Sequence, residues 1–186
     1  MKNRKGRIIM ALLLGLLSLL NFGGCKNESP TTGNTIDKTD YDAPKVIESK
    51  DITAFRFSCV LFGEAYPDGI KEFDLRIARD SGGALTVYED KSGVSFPADG
   101  EILKDLQSVI DKYELAKNNG IYKYVSGLAP GYQPYEFTAD YASGEKLTFT
   151  ENNDPYAQWE IAVCDVFTEW FAANGIVMTA TDTDNN

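Results

Sequence analysis

The chain has 186 residues, 18 basic against 28 acidic side chains, a formal net charge of −10 and no histidine. That charge argues against nucleic acid as a partner, because phosphate binding needs a basic footprint, and against electrostatic adhesion to an anionic membrane surface. The missing histidine excludes Ser–His and Cys–His nucleophile pairs, and three cysteines are too few for a thiolate zinc site, so neither metal nor cofactor is expected.

At the N-terminus, Lys2, Arg4, Lys5 and Arg7 precede an uncharged, leucine-rich run from Ile8 to Leu20. The run is too short to span a bilayer, which takes about 20 apolar residues. A short apolar core behind a basic start is the pattern of a secretory signal peptide. The run ends in Leu20-Asn21-Phe22-Gly23-Gly24-Cys25, which resembles the bacterial lipobox. Gly23 and Gly24 supply the small residues before the cysteine, and Phe22 stands where Leu, Val or Ile is usual. The resemblance implies that residues 1–24 are removed and that the Cys25 thiol carries a diacylglyceryl group. Two acyl chains suffice for stable anchoring. The expected location is the extracytoplasmic face of the cell membrane. Loss of the four leader cations leaves 14 basic and 28 acidic side chains, a net charge of −14.

Residues 25–50 are rich in Asn, Ser, Thr, Pro, Gly and Asp, and poor in large apolar side chains. Such a stretch cannot bury enough apolar surface to offset its ordering entropy, and it is expected to be a disordered tether.

The folded domain is expected over 51–178, with a polar tail at 179–186. Phe55, Phe57, Cys59 and Leu61 alternate with Ala54, Arg56, Ser58 and Val60, which marks a half-buried strand. Tyr66-Pro67-Asp68-Gly69 reads as a turn. Phe73, Leu75 and Ile77 form a second alternating run. After the turn Asp80–Gly83, Leu85 and Val87 form a third, giving an antiparallel meander. Ile102, Leu106, Val109, Ile110 and Tyr113 then recur at three and four, the period of a helix face. Asp99 is the expected N-cap and Asn118-Asn119-Gly120 the stop. A second hairpin places Phe137, Ala139 and Tyr141 against Leu147 and Phe149 around Ser143-Gly144. Asp154-Pro155 opens a last helix, whose stripe is Trp159, Val163, Val166, Phe167 and Trp170, and Asn174-Gly175 closes it. Ile176, Val177 and Met178 are expected to cover an edge of the core.

These elements predict a two-layer α+β fold, an antiparallel sheet of about five strands with two helices on one face, in the order βββ-α-ββ-α. Each hairpin carries a Glu-Phe, Ser-Gly, Leu-Thr phrase and precedes a helix ending in Asn-Gly-Ile, so an internal duplication is expected, although common turn chemistry gives the same likeness. Beyond the lipobox, the domain resembles uncharacterised lipoproteins of Gram-positive bacteria in phrases such as Tyr141-Ala142-Ser143-Gly144, a likeness that carries no known activity.

Three groups are candidates for chemistry. Cys59 and Cys164 lie on apolar faces that approach if helix packs on sheet. Outside the cytoplasm they are a candidate disulfide, or else two buried thiols acting as small hydrophobes. The loop 120–135 concentrates Tyr122, Tyr124, Tyr132 and Tyr135 among Pro and Gly, a composition of recognition surfaces, unless these rings cover a sheet edge. Asn152-Asn153-Asp154 and the tail acids Asp182 and Asp184 lack the spacing of a calcium loop, and no spacing singles out a catalytic carboxylate pair. The expected function is a non-catalytic binding or interaction module, membrane-bound through Cys25, whose partner is an envelope protein or an extracellular ligand. The alternatives are an extracytoplasmic hydrolase using paired carboxylates and a structural accessory subunit of an envelope complex.

Overall fold

The computed structural model describes residues 33–63 and 66–176. The leader, Cys25, residues 26–32, Val177, Met178 and the polar tail lie outside them. Strand β1 (Thr35–Asp37) is followed by β2 (Ile52–Gly63), β3 (Tyr66–Arg79), β4 (Leu85–Glu89), β5 (Val94–Pro97) and helix α1 (Glu101–Lys112). Strands β6 (Lys123–Val125), β7 (Pro134–Tyr141) and β8 (Lys146–Asn152) then lead into helix α2 (Gln158–Ala173).

Period-two alternation sets the sheet. Phe55, Phe57, Cys59 and Leu61 of β2 are buried, as are Phe73, Leu75 and Ile77 of β3 and Phe137, Ala139 and Tyr141 of β7. Phe57 lies opposite Leu75 on one side and Phe137 on the other. The sheet is antiparallel throughout, with order β5-β4-β3-β2-β7-β8, and β1 and β6 form a separate antiparallel pair. Helices α1 and α2 pack on each other and cover the apolar face. The other face carries charged pairs such as Arg76 with Asp90 at 3.2 Å and Arg56 with Asp74 at 3.4 Å. The α+β class and the antiparallel sheet are as the alternation predicts.

The extra strands were hidden by length. β5 has four residues, with only Val94 and Phe96 turned inward, but Phe96 stacks on Trp170 of α2 with ring centroids 5.5 Å apart. The expected turn at Tyr66–Gly69 lies inside β3. The register jumps there from Phe62↔Ile70 to Gly63↔Tyr66, so Pro67–Gly69 fall in a bulge, where a proline without an N–H breaks no ladder bond.

The stretch expected as tether is also different from residue 33 onward. Thr35, Ile36 and Asp37 pair with Val125, Tyr124 and Lys123, and Ile47 is buried in the core. Low hydrophobicity favoured disorder, but backbone pairing to β6 and one well-placed isoleucine order the segment.

Helix boundaries shift for local reasons. The N-cap of α1 is Gly100 rather than the expected Asp99, which lies one position earlier and accepts the N–H of Glu101 at 3.0 Å. Helix α1 ends at Lys112, and Glu114 adopts a left-handed conformation (φ 53°) before the 3-10 turn Leu115–Asn118, so Asn119-Gly120 stops that turn rather than the helix. Helix α2 opens at Gln158; Asp154 and Pro155 build the turn before it, in which the Asp154 carbonyl accepts the N–H of Ala157. Its end is a Schellman motif: Ile176 N–H donates to Phe171 O, Gly175 N–H donates to Ala172 O, and Gly175 has φ +73°. The buried stripe of α2 is Glu160, Val163, Cys164, Phe167 and Phe171, while Trp159, Val166 and Trp170 are half-buried.

The topology overturns the duplication. β3 and β7 flank β2 and run the same way, but β4 lies outward of β3 on one side and β8 outward of β7 on the other. With both helices on one face, the two hairpins have opposite hand, and no rotation or translation superposes them with their helices. Their shared phrases are turn chemistry.

Candidate functional site

The loop 120–135 is held on two sides. At its start, Gly120 N–H donates to Thr148 O and Thr150 N–H donates to Ile121 O, both at 2.8 Å, so the chain leaves the 3-10 turn running beside β8. The segment 34–40 closes the other side: Lys38 N–H donates to Tyr122 O at 2.8 Å and Asp40 N–H to Gly120 O at 2.9 Å.

Three asparagine side chains act as substitute peptide groups. The Asn152 amide accepts the N–H of Val125 at 2.7 Å and donates to the carbonyls of Val125 and Tyr132 at 3.0 and 2.9 Å. Asn153 accepts the N–H of Val60 at 2.9 Å and donates to Val60 O and Gly131 O at 2.8 and 2.7 Å. Asn119 accepts the N–H of Thr148 and donates to Pro44 O, both at 2.9 Å. A carboxamide has the acceptor and donors of a peptide group, so one side chain satisfies carbonyl and N–H partners at once. In the sequence these residues read as a helix stop and the approach to a helix. Their joining role depends on partners up to 93 positions away and had no local signal.

The predicted tyrosines separate into two sets. Tyr135 is buried, its ring 5.3 Å from Trp159 and 5.9 Å from Phe57. It belongs to the core, and burial pushes its hydroxyl far up. Tyr122 is 37% exposed and Tyr132 40% exposed, and between them Leu128 is 38% exposed. Tyr124 is half-buried with its ring edge against Tyr122 at 5.7 Å, and the hydrogen bond with Tyr122 raises its hydroxyl above the ordinary value. Tyr41, on the segment beside Gly120, is the most exposed large hydrophobic residue of the described chain at 78%.

A second feature was not legible in the sequence. An open cleft of about 370 Å³ lies between the end of β8 and the start of α2, lined by Glu151, Asp154, Trp159 and Glu160. Glu160 is only 1% exposed. One of its oxygens, Oε1, accepts the N–H of Asp154 at 3.2 Å, and Oε2 has no partner among the described residues. Burial, then the charges of Asp154 and Glu151, outweighs that hydrogen bond and pushes its carboxyl up to about 8. Burial also raises Glu151, against the hydrogen bond from Tyr135. Burial therefore favours the protonated form of Glu160. It pins the Asp154 turn, and its sealed oxygen does not reach a molecule in the cleft.

Cys59 and Cys164 meet as expected from their faces: both are buried thiols, with sulfurs 3.3 Å apart. Among the described residues, no group of three or more Cys, Asp or Glu converges to hold a metal ion, and no helix is long and apolar enough to cross a membrane. No family model matches the chain, and neither a curated protein nor a solved structure matches it.

Proposed function

We propose that the chain is a membrane-anchored extracytoplasmic lipoprotein whose domain is a non-catalytic binding module of the cell envelope. The anchoring half of this reading rests on the basic start, the apolar run and Cys25 in its Gly-Gly context. The binding half rests on one observation: Tyr122, Leu128 and Tyr132 stand outward on a loop whose backbone is tied down by Asn152, Asn153 and the segment 34–40. A backbone already ordered loses little further entropy on association. Tyrosine side chains offer large apolar area with few rotatable bonds, and a hydroxyl for orientation. The partner class is an envelope protein or an extracellular ligand.

The paired-carboxylate hydrolase is the weaker reading. Glu151 and Glu160 share a cleft and Glu160 keeps its proton, as a general acid needs. A catalytic acid must touch the bond it protonates, however, and Glu160 is sealed under its own turn.

The test compares the full-length protein with its Tyr122→Ser/Tyr132→Ser variant by chemical cross-linking in native envelopes. A cross-linked species present for the parent and lost in a variant with unchanged far-UV circular dichroism supports the binding surface. An identical cross-linking pattern removes it and favours an accessory role through another face. Cys25→Ala is expected to move the protein from the membrane pellet to the soluble fraction; an unchanged distribution ends the lipid-anchor reading.

A further inference from the structure

Cys59 sits near the middle of β2 and Cys164 on the buried stripe of α2, 105 positions apart, with their sulfurs 3.3 Å from each other. A disulfide bond is about 2.05 Å long, so joining them takes a shift on the order of 1 Å, within the reach of side-chain rotation. Two thiols brought this close from distant parts of the chain form a built crosslinking site between sheet and helix.

The surroundings decide when the bond can form. Cys59 is 4% exposed and Cys164 2%. Burial, the neighbouring Cys164 and the charge of Glu160 all push the Cys59 thiol well above its ordinary value. The nucleophile in thiol–disulfide exchange is the thiolate, and the attack needs access for an oxidant at least as large as a small disulfide. In the folded domain the Cys59 thiolate is disfavoured, and neither sulfur is accessible to such an oxidant.

We propose that Cys59 and Cys164 form a disulfide during folding outside the cytoplasm, before α2 docks on the sheet, and that docking then locks whichever redox form it covers. The oxidant is a disulfide of the small-molecule or oxidoreductase class. One cysteine thiolate attacks it, forming a mixed disulfide and releasing one thiolate. The second cysteine thiolate attacks the protein sulfur of that mixed disulfide and releases the other. The protein loses two protons and two electrons, and the oxidant leaves as two thiols. A chain folded under reducing conditions instead buries the dithiol and keeps it. The redox state of the pair is thus a record of the compartment in which the chain folded. The identity of the native form rests on the export reading; the site rests on the approach of the two sulfurs, and the lock on the burial of both thiols.

The experiment has two arms. The full chain carrying Cys25→Ser, so that Cys59 and Cys164 are its only thiols, is unfolded, reduced and refolded with either oxidised or reduced glutathione, and its thiols are counted by alkylation and mass spectrometry before and after denaturation. Oxidative refolding is expected to give a monomer lighter by two hydrogens, with a thermal midpoint roughly 10 °C above that of the dithiol form, because a long loop is closed in the unfolded chain. The folded dithiol form, given the same oxidised glutathione, is expected to close at least tenfold more slowly than the refolding chain. Cys59→Ala and Cys164→Ala each remove the mass and midpoint differences. Thiols left free, or capped by glutathione, after oxidative refolding overturn the site, and equal closure rates overturn the lock. In the second arm, protein extracted from native envelopes is alkylated under denaturing conditions and is expected to show neither thiol free. Two free thiols there overturn the disulfide as the native form. Recovery of the chain in the cytoplasmic fraction defeats the export reading instead, and the refolding arm still decides the site.

Discussion

Glu160 and Asn153 are both buried polar side chains, and they act in opposite directions. The unfolded chain binds a proton at Glu160 with the ordinary value of 4.5, whereas the folded chain holds it up to about 8. Between those two values the native state carries the extra proton, so stability falls as pH rises from about 4.5 to about 8 and is level above that. The full effect is at most about 5 kcal/mol for a shift from 4.5 to about 8. Asp154 and Glu151 face the same carboxyl with like charge, and Tyr135 and Cys59 lie beside it; Lys123 lines the same cleft but is not among the causes of the Glu160 shift, so it does not reverse the sign. Glu160→Gln keeps the acceptor for Asp154 N–H and removes the titration. Its urea midpoint is expected to exceed that of the parent at pH 8 and to converge on it at pH 5; equal slopes with pH for the two proteins would contradict the buried-acid account. Asn153 carries no charge, and its contribution does not change with pH. Removing it in Asn153→Ala strips partners from the N–H and carbonyl of Val60 and from the carbonyl of Gly131. An expected loss of about 2–4 kcal/mol, read from urea denaturation, follows from the cost of unsatisfied buried groups. Proteolysis between 126 and 133 should quicken in the same variant, because the loop loses one of its ties.

At the level of elements, the strands and the first helix were legible because each is long enough for its period to show. Twelve residues of β2 and twelve of α1 give several repeats of two and of 3.6. β1, β5 and β6 have three or four residues each and show no repeat. The tyrosine loop was legible as a composition, but which rings face outward was not: that depends on β1 arriving from 86–90 positions upstream to pair with β6. Gly120 marks a close approach between the start of the loop and residues 40–43. It has φ +80°, and a methyl group there would meet the Ala43 Cβ at 2.4 Å and the Asp40 carbonyl at 2.5 Å. Gly144 has φ +88° and open space around it. Gly144→Ala should therefore cost only the left-handed penalty, about 1 kcal/mol, while Gly120→Ala adds displacement of the 40–43 segment and should cost about 3 kcal/mol. The difference between the two variants in thermal or urea unfolding measures how tightly this segment is fastened. Equal costs would mean that it yields freely.

For the whole molecule, the point at issue is where the folded domain begins. Composition places its start near residue 51, since the preceding stretch lacks apolar residues. The structure joins residues 33–50 to the domain by unlike contacts. These are the β1–β6 pairing, the buried side chain of Ile47, and the Glu145 carboxylate, which accepts the N–H groups of Glu48 and Ser49 at 2.9 and 3.0 Å. The Asn119 amide completes them, holding Pro44 O and the β8 backbone together. No single one of these is large, but they share a consequence: without the segment, the edge of β6 and the Asn119 side chain lose their partners, and the loop bearing Tyr122 loses one of its two sides. A chain starting at Gly33 and one starting at Asp51 should therefore differ in more than stability. Burial of Ile47 alone is worth about 2 kcal/mol, and with the lost hydrogen bonds the shorter chain should be less stable by about 3–5 kcal/mol in urea. It should also be cut first between 120 and 133, before any strand of the main sheet is attacked, because that loop is where the missing contacts fell. If both chains show the same urea midpoint and the same first cleavage site, residues 33–50 act as tether after all, and the rigid presentation of Tyr122 loses its physical basis.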